Sequence, residues 1–188
     1  MDFKIDEKKK ALVTGGTGFV AGWIIKQLVE AGVHVHATVR NPSDENKVGH
    51  LNELSKKGPG KVTLFQADLL ESGSFNTALE GCSYVFHTAS PFILKFYDPQ
   101  RDLIDPALKG TQNILEAVNA SNSVERVVLT SSCVAIYGDA AECASAPNKM
   151  LNEDIWNTTS SSSHQPYSYS KTLAEREAWK MADAQDRW

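Results

Sequence analysis

The feature that most constrains this sequence is a glycine-rich segment near its start, Thr14–Gly22, which reads TGGTGFVAG. A short apolar run precedes it, and a segment with apolar residues at helical spacing follows it. Gly15, Gly18 and Ala21 therefore lie at a strand-to-helix junction with the spacing GxxGxxA. Small residues here permit a tight turn and the close approach of a diphosphate to the free N–H groups of the helix. The alternative is a tight turn that binds no ligand.

Beyond this turn, short apolar or β-branched segments alternate with helical patterns to the end of the chain. Strands are predicted at 11–13, 33–39, 61–66, 84–87 and 127–129, and helices at 19–30, 42–56, 72–80, 101–120 and 166–186. Such alternation predicts an α/β fold with a parallel sheet between two layers of helices. Right-handed crossovers then favour a doubly wound, Rossmann-type sheet with ligands at the carboxyl ends of the strands.

The length of 188 residues suits one well-packed domain, and no linker interrupts the alternation. We therefore expect residues 1–188 to form a single nucleotide-binding domain. The sequence stops after a helix, where the pattern calls for another strand. The expectation is a sheet truncated before its last strands and before a substrate-binding lobe, in a chain that by itself is inactive.

Charge and cysteine usage exclude several classes of protein. A formal net charge of -4 argues against a nucleic-acid or anionic-membrane partner. Cys82, Cys133 and Cys143 have no CxxC spacing, which indicates reduced thiols and no zinc site. His34 and His36 have no third ligand nearby in sequence, so no metal is predicted. The charged N-terminus carries no apolar leader and no segment approaches the ~18 apolar residues of a membrane span, which predicts a cytoplasmic protein.

The end of the second predicted strand indicates which dinucleotide binds. An acid there would accept the ribose hydroxyls of NAD, but the strand HVHATVR ends in Arg40, with no acid before Asp44. A guanidinium binds a phosphate through two parallel hydrogen bonds, and Lys47 provides a second cation on the next helix. These residues predict NADP(H). The alternative is that both are ordinary solvated charges.

A catalytic group is predicted from three polar side chains in the second half of the chain. Tyr167 and Lys171 are four residues apart at the start of the last predicted helix, so both project from one face. The third comes from the pair Ser131-Ser132, which ends the fifth predicted strand at the carboxyl edge of the sheet. A phenol can donate the proton for carbonyl reduction while a serine hydroxyl holds the carbonyl oxygen. A cation about 4 Å away favours the phenolate by roughly 4 kcal/mol at an effective dielectric of about 20, so a lowered Tyr167 pKa is expected. An ordinary surface pair is the alternative.

Taken together, several stretches of the sequence resemble one family. They are VTGGTGFVAGWIIKQL, ATVR, ADL, FHTASP, RVVLTSS and YSYSKTLAE. The chain resembles the extended short-chain dehydrogenases/reductases, and within them the dihydroflavonol reductase-like group. That group includes vestitone, anthocyanidin, cinnamoyl-CoA and various aldehyde or ketone reductases.

The resemblance implies roles for individual residues. Ser132, Tyr167 and Lys171 match the catalytic triad, and Lys171 also matches the residue that contacts the nicotinamide ribose. Asp68 and Leu69 match the adenine-contacting pair; otherwise Asp68 is an acid at a helix N-terminus. The full set of expected cofactor-binding residues is Gly15, Thr17, Gly18, Phe19, Val20, Arg40, Lys47, Asp68, Leu69, Thr88, Ala89, Ser90, Tyr167 and Lys171.

The implied activity is hydride transfer from NADPH to an aldehyde or ketone, reversible as an alcohol dehydrogenase. The sequence QPYSYSK replaces the NWYCYGK signature of cinnamoyl-CoA reductases, which puts a CoA-ester substrate in doubt. One alternative is a nucleotide-sugar epimerase or dehydratase with bound NAD, against which Arg40 argues. Another is a non-catalytic dinucleotide-binding redox sensor, against which Tyr167 and Lys171 argue. The expected partner is a small carbonyl or alcohol substrate, and the protein is expected to be a monomer or homodimer. Candidates for an apolar wall of the substrate site are Phe92, Ile93 and Phe96.

Overall fold

The computed structural model describes residues 5–91, 93 and 95–188. The strands are β1 Lys10–Thr14, β2 His34–Val39, β3 Lys61–Gln66, β4 Cys82–His87 and β5 Arg126–Leu129. The α-helices are α1 Phe19–Glu30, α2 Glu45–Lys57, α3 Asn76–Leu79, α4 Asp105–Ala120 and α5 Pro166–Asp183. A π-helical turn, Gln100–Ile104, precedes α4, and short 3-10 turns occur at Cys133–Ala135, Ala140–Ala144 and Pro147–Lys149.

The chain divides into two compact units. The first, here called the sheet unit, contains the chain up to Ala89 together with Asn113–Thr130 and Arg187–Trp188. The second, here called the helical unit, contains Ser90–Gln112 and Ser131–Asp186. Helix α4 contributes its first half to the helical unit and its second half to the sheet unit.

The sheet unit is built on five parallel strands in the order β3-β2-β1-β4-β5. This confirms the predicted doubly wound, Rossmann-type sheet. Central strand β1 is apolar on both faces, and Ala11, Leu12 and Val13 are fully buried. Strand β5 lies at an edge, where the Val128 side chain is 44% exposed. Strand order reverses between β1 and β4, so the crevice above their carboxyl ends is where this fold binds ligands.

The core beside the sheet forms because α1 presents one apolar face to it. Ile25 and Val29 of α1 are buried, and they belong to one cluster with Val35 of β2 and Val48 and Leu51 of α2. The opposite face of α1 is polar or exposed, as the helical spacing of its apolar residues requires.

The helical unit is organised around α5, the predicted Tyr-Lys helix. Pro166 occupies the start of α5, where a missing N–H costs nothing, and Gln165 before it has a left-handed φ of 54°. Helix α5 packs against the turns Gln100–Ile104 and Cys133–Ala135. The Asn157 backbone N–H donates to the Ala135 carbonyl at 2.8 Å and its amide donates to the Val134 carbonyl at 2.8 Å. These bonds fix the turn that follows Ser132.

Two helices differ from the prediction. The third is only Asn76–Leu79, because Gly73 takes a left-handed φ of 76° and the chain before Asn76 forms turns. The fourth begins with the π-helical turn Gln100–Ile104. Among the described residues, every helix is too short or too polar to span a bilayer.

Candidate functional site

The glycine-rich turn after β1 can be made only by glycine at its first position. Gly15 has a φ of +70°, which side chains disfavour, and a Cβ there would lie 3.1 Å from both the Cα and the Cβ of Ala89. At Gly18 a Cβ would lie 3.1 Å from the Gly15 carbonyl oxygen, to which the Gly18 N–H donates at 2.8 Å. The turn is therefore closed by backbone contacts that leave no room for side chains.

The first turn of α1 presents uncapped N–H groups. Gly18 is the N-cap residue and provides no side-chain hydrogen bond, and no acidic residue lies in the first turn. Thr17, Phe19 and Val20 are exposed around this end, with Phe19 82% exposed. Because the positive end of the helix dipole is not neutralised by a side chain, it is suited to an anionic group such as a phosphate.

A buried hydroxyl joins the ends of β1 and β4, and sequence reasoning did not identify it. The Thr14 Oγ1 accepts hydrogen bonds from the backbone N–H groups of Thr88 and Ala89, both at 3.1 Å, and lies 2.8 Å from the His87 Nδ1. The Thr88 hydroxyl donates to the Thr14 carbonyl at 2.6 Å. These bonds hold the predicted cofactor loop Thr88–Ala89 against the glycine turn. The sequence signal that could have identified this contact is the polar residue at the end of each strand, Thr14 in β1 and His87 in β4.

A pocket of about 470 Å³ lies at the ends of β2 and β3. Its lining includes Arg40 and Asp68, two residues expected to contact the adenosine end of a dinucleotide, whereas Leu69 is half-buried outside the lining. The ammonium of Lys47 lies 3.3 Å from the Asp44 carboxylate and is not part of the lining. The remaining lining residues are Gln66, Ala67, Leu70 and Glu71.

These features fit an anionic dinucleotide. Gly15 and Gly18 have no Cβ, which permits the close approach of a ligand to the backbone of the turn. The α1 N-terminus has no side-chain cap, and Arg40 places a guanidinium in the lining of the pocket. The fit includes a 2′-phosphate, since a planar guanidinium matches that group. Asp68 does not begin a helix; its carboxylate accepts the Leu70 N–H at 2.9 Å.

The helical unit brings Ser132, Tyr167 and Lys171 into one cluster. Ser132 is the N-cap of the turn Cys133–Ala135, where its Oγ accepts from the Val134 N–H at 3.4 Å. The Ser132 side chain is hydrogen-bonded to the phenol of Tyr167. Lys171 lies one turn further along α5 and is only 6% exposed. The start of α5 thus carries a phenol that is hydrogen-bonded to Ser132 and, one turn later, a buried ammonium.

Electrostatics in this cluster differ from the expectation of a lowered phenol pKa. Burial raises the pKa of Tyr167 above its ordinary value, and the hydrogen bond from Ser132 opposes this only in part. Burial likewise lowers the pKa of Lys171, while the carboxylate of Glu175 acts in the opposite direction. The prediction was wrong in direction because desolvation of the phenol outweighs the hydrogen bond from Ser132.

Glu175, one turn after Lys171, is a further residue of the cluster that sequence reasoning missed. The Ser131 hydroxyl donates to its carboxylate, and the Trp179 indole N–H donates to it at 3.3 Å. A pocket of about 420 Å³ adjoins Ser131, Ser132 and Glu175, lined elsewhere by Cys133, Ala135, Ile136, Glu153, Ile155 and Trp156.

The remaining predicted residues lie before the π-helical turn. Ser90, the last of the loop predicted to contact the cofactor, is half-buried and belongs to the helical unit. Phe96 of the expected apolar wall is 36% exposed, and Phe92 lies outside the described residues. Within the described part of the chain, no group of three His, Cys, Asp or Glu side chains could hold a metal ion.

Comparison with known proteins gives both a family and individual relatives. Residues 11–187 match the model of the NAD dependent epimerase/dehydratase family. Cinnamoyl-CoA reductase CAD2 of Medicago truncatula is 45% identical over 172 residues, which cover 90% of this chain and 52% of the relative. Anthocyanidin reductase of Arabidopsis thaliana is 40% identical over 179 residues, covering 93% and 51%.

A solved structure with the same fold is that of yeast methylglyoxal/isovaleraldehyde reductase Gre2 complexed with NADPH. It matches with a TM-score of 0.78 and 30% identity over 93% of this chain and 53% of that one. The chain thus spans about half the length of the relatives it matches. At the level of the family these proteins confirm the predicted cofactor, since the Gre2 structure contains NADPH. They also confirm the predicted resemblance to the dihydroflavonol reductase-like group, and this chain belongs to the NAD dependent epimerase/dehydratase family.

Proposed function

We propose that this chain binds NADPH and supplies the proton-donating group of an NADPH-dependent reductase of aldehydes or ketones. The observation that carries the proposal is the hydrogen bond between Ser132 and Tyr167, with Lys171 buried one turn along the same helix. A buried ammonium one turn from a hydrogen-bonded phenol is typical of a functional site and not of an ordinary surface pair, because burying a charge costs free energy.

Each member of the cluster has a role in this proposal. The NADPH supplies the hydride when bound. Tyr167 donates its phenolic proton to the carbonyl oxygen of the substrate, and Ser132 holds that oxygen through its hydroxyl. A raised pKa keeps Tyr167 in the protonated form that reduction requires at neutral pH. Lys171 contributes positive charge beside the site and a hydrogen-bond donor for the nicotinamide ribose.

The rest of the predicted set holds the cofactor. The glycine turn at Gly15 and Gly18 and the exposed residues Thr17, Phe19 and Val20 surround the uncapped end of α1, where the diphosphate would bind. Arg40 would bind the 2′-phosphate, Asp68 and Leu69 the adenine, and the loop Thr88–Ser90 the ribose and diphosphate. Lys47 adds a weaker, more distant cation, since it is already paired with Asp44.

Cofactor preference tests the proposal. The dissociation constants of NADPH and NADH, measured by fluorescence titration, should differ by about ten- to a hundredfold in favour of NADPH, the size of one charge-assisted hydrogen bond or more. Arg40→Asp should reverse the order, because it removes the cation and adds repulsion. Lys47→Ala, the matched control, should change the ratio much less.

Two results would contradict this reading. Equal affinity for NADPH and NADH in the parent chain removes the role of Arg40. Copurification of tightly held NAD favours instead a nucleotide-sugar epimerase or dehydratase, the class in which the dinucleotide is recycled on the protein.

A further inference from the structure

One side of the Arg40 pocket is a loop without regular secondary structure. Asp68, Leu70 and Glu71 of this loop line the pocket between the end of β3 and the start of α3. Ser74 supports its beginning, since the Ser74 hydroxyl donates to the Asp68 carbonyl at 2.8 Å. Within the loop the Glu71 N–H donates to the Asp68 carbonyl at 3.2 Å and the Leu70 N–H donates to the Asp68 carboxylate at 2.9 Å. Further bonds come from outside the loop.

The contact from outside the loop is made by Asn113, a residue of α4 that lies 40 residues or more along the chain. Its amide oxygen accepts the Gly73 N–H at 3.1 Å. Its amide nitrogen donates to the Leu69 carbonyl at 3.2 Å and to the Glu71 carbonyl at 2.8 Å. Asn113 is 8% exposed, whereas Leu69 is half-buried and Glu71 and Gly73 are exposed, so these bonds are partly shielded from water.

The chemistry of this contact requires an amide. One acceptor must face an N–H group while two donors face two carbonyl oxygens, and asparagine provides this combination at the observed length. An aspartate of the same shape would keep the acceptor for Gly73 but would point a carboxylate at the carbonyls of Leu69 and Glu71. A leucine would remove all three bonds, and the Glu71 carbonyl would keep only the Ser74 N–H, which donates to it at 3.1 Å.

We propose that Asn113 is a positioning residue for the adenosine half of the cofactor, acting through the Asp68–Gly73 loop that it holds against the pocket. The inference rests on the proposed NADPH binding. A loop that is already ordered loses less conformational freedom when the ligand binds, and this preserves affinity. The effect should therefore fall on ligands that carry the adenosine half and spare those that carry only the nicotinamide half.

The experiment compares the parent chain with Asn113→Asp, Asn113→Leu and a control on the same helix, Thr111→Val. The Thr111 hydroxyl donates only to the Ala107 carbonyl within α4, so its loss should leave the loop intact. The probes are NADPH, 2′,5′-ADP as the adenosine half, and reduced nicotinamide mononucleotide as the other half. Thermal unfolding of each variant is followed in parallel.

Both Asn113 variants should lower the affinity for 2′,5′-ADP and for NADPH by about tenfold or more, which corresponds to about 1.4 kcal/mol of binding free energy. Binding of reduced nicotinamide mononucleotide should change by less than about twofold, as expected for a distant, independent site. Agreement between the aspartate and the leucine variants excludes simple charge repulsion as the cause.

Four outcomes overturn the inference. Unchanged 2′,5′-ADP affinity in a folded Asn113→Leu variant shows that the loop needs no such anchor. Equal weakening of both halves, or weakening that matches Thr111→Val at the same loss of thermal stability, indicates a general structural role. Failure of the parent chain to bind either NADPH or 2′,5′-ADP removes the proposed function itself and the inference with it.

Discussion

The glycine turn of the sheet unit and the Ser132 cluster of the helical unit are built on opposite principles. In the turn, backbone conformation and the absence of side chains create the site, as the φ of +70° at Gly15 and its approach to Ala89 demonstrate. In the cluster, side-chain chemistry and burial create the site, as the bonded phenol of Tyr167 and the buried ammonium of Lys171 demonstrate. Residues around the turn are largely exposed, whereas those of the cluster are half-buried or buried.

This difference indicates which substitutions should lower stability and ligand binding together and which should lower turnover alone. A side chain added at Gly15 would strain the backbone conformation of the turn and press on Ala89. Stability and ligand binding should therefore decrease together. Removing one atom from the cluster leaves its packing in place, so chemistry should fail alone. The predictions below test that separation.

The largest effect is expected at Tyr167. Tyr167→Phe removes the hydroxyl and keeps the ring. In a chain that also contains a substrate-binding lobe, turnover of NADPH with a panel of aldehydes and ketones should therefore fall by ~10²–10⁴-fold. Affinity for NADPH and the melting temperature should change little. Near-normal turnover in a folded Tyr167→Phe variant would return the Tyr-Lys pair to an ordinary feature of the helix.

Two further variants test the separate contributions of Lys171 and Ser132 to turnover. Lys171→Ala should reduce turnover and also weaken NADPH, because it removes charge beside the phenol and a contact to the cofactor ribose. Ser132→Ala should be milder than Tyr167→Phe, since it removes one hydrogen bond to the carbonyl oxygen. The proposed division of roles fails if Ser132→Ala proves the most damaging of the three.

The next effect is expected at Gly15. Gly15→Val forces a β-branched residue into a left-handed conformation, which by itself costs about 1–3 kcal/mol, and presses its Cβ on Ala89. Urea unfolding should show that loss of stability, and NADPH binding should decrease with it.

The matched control is Gly22→Ala. A Cβ at Gly22, inside α1, meets no atom within 4 Å, so this change should stabilise the protein by up to about 1 kcal/mol. Full stability and NADPH affinity in Gly15→Val would show that the turn tolerates side chains and would break the contrast between the two regions.

The smallest effect concerns two cysteines, one in each unit. Burial raises the pKa of the Cys82 thiol to about 12, and Cys133 is exposed beside Ser132. Iodoacetamide at pH ~8 should therefore modify Cys133 well before Cys82, since the thiolate is the reactive form. Mass spectrometry of the labelled peptides measures the order, and prior labelling of Cys82 in the folded chain would contradict its burial.

The same shift has a consequence for stability against pH. Between pH 9.0 and about pH 12 the Cys82 thiol stays protonated in the folded protein, whereas in the unfolded chain it loses its proton. Stability should therefore fall with rising pH across this window, by a slope that Cys82→Ala reduces. Identical slopes in both proteins, measured by urea unfolding, would show that Cys82 does not contribute.

Much of the fold and part of the site follow from local sequence alone. The TGGTG turn, the alternation of apolar strands with helices and the Arg40 position each depend on neighbouring residues, so periodicity and turn chemistry were enough to predict them. The four-residue spacing of Tyr167 and Lys171 placed both on α5 for the same reason, because a helix brings residues one turn apart to one face.

Tertiary structure decided what depends on residues distant in sequence. The Thr14 hydroxyl contacts the backbone of Thr88 and Ala89 because parallel pairing aligns β1 with β4. Asn113 binds the Asp68–Gly73 loop although it lies 40 residues after Gly73 in the sequence. The direction of the Tyr167 pKa was likewise decided by folding, because desolvation depends on how many neighbours bury the phenol. Sequence spacing determines which groups share a helix or a turn, but burial and long-range hydrogen bonds exist only once the chain is packed.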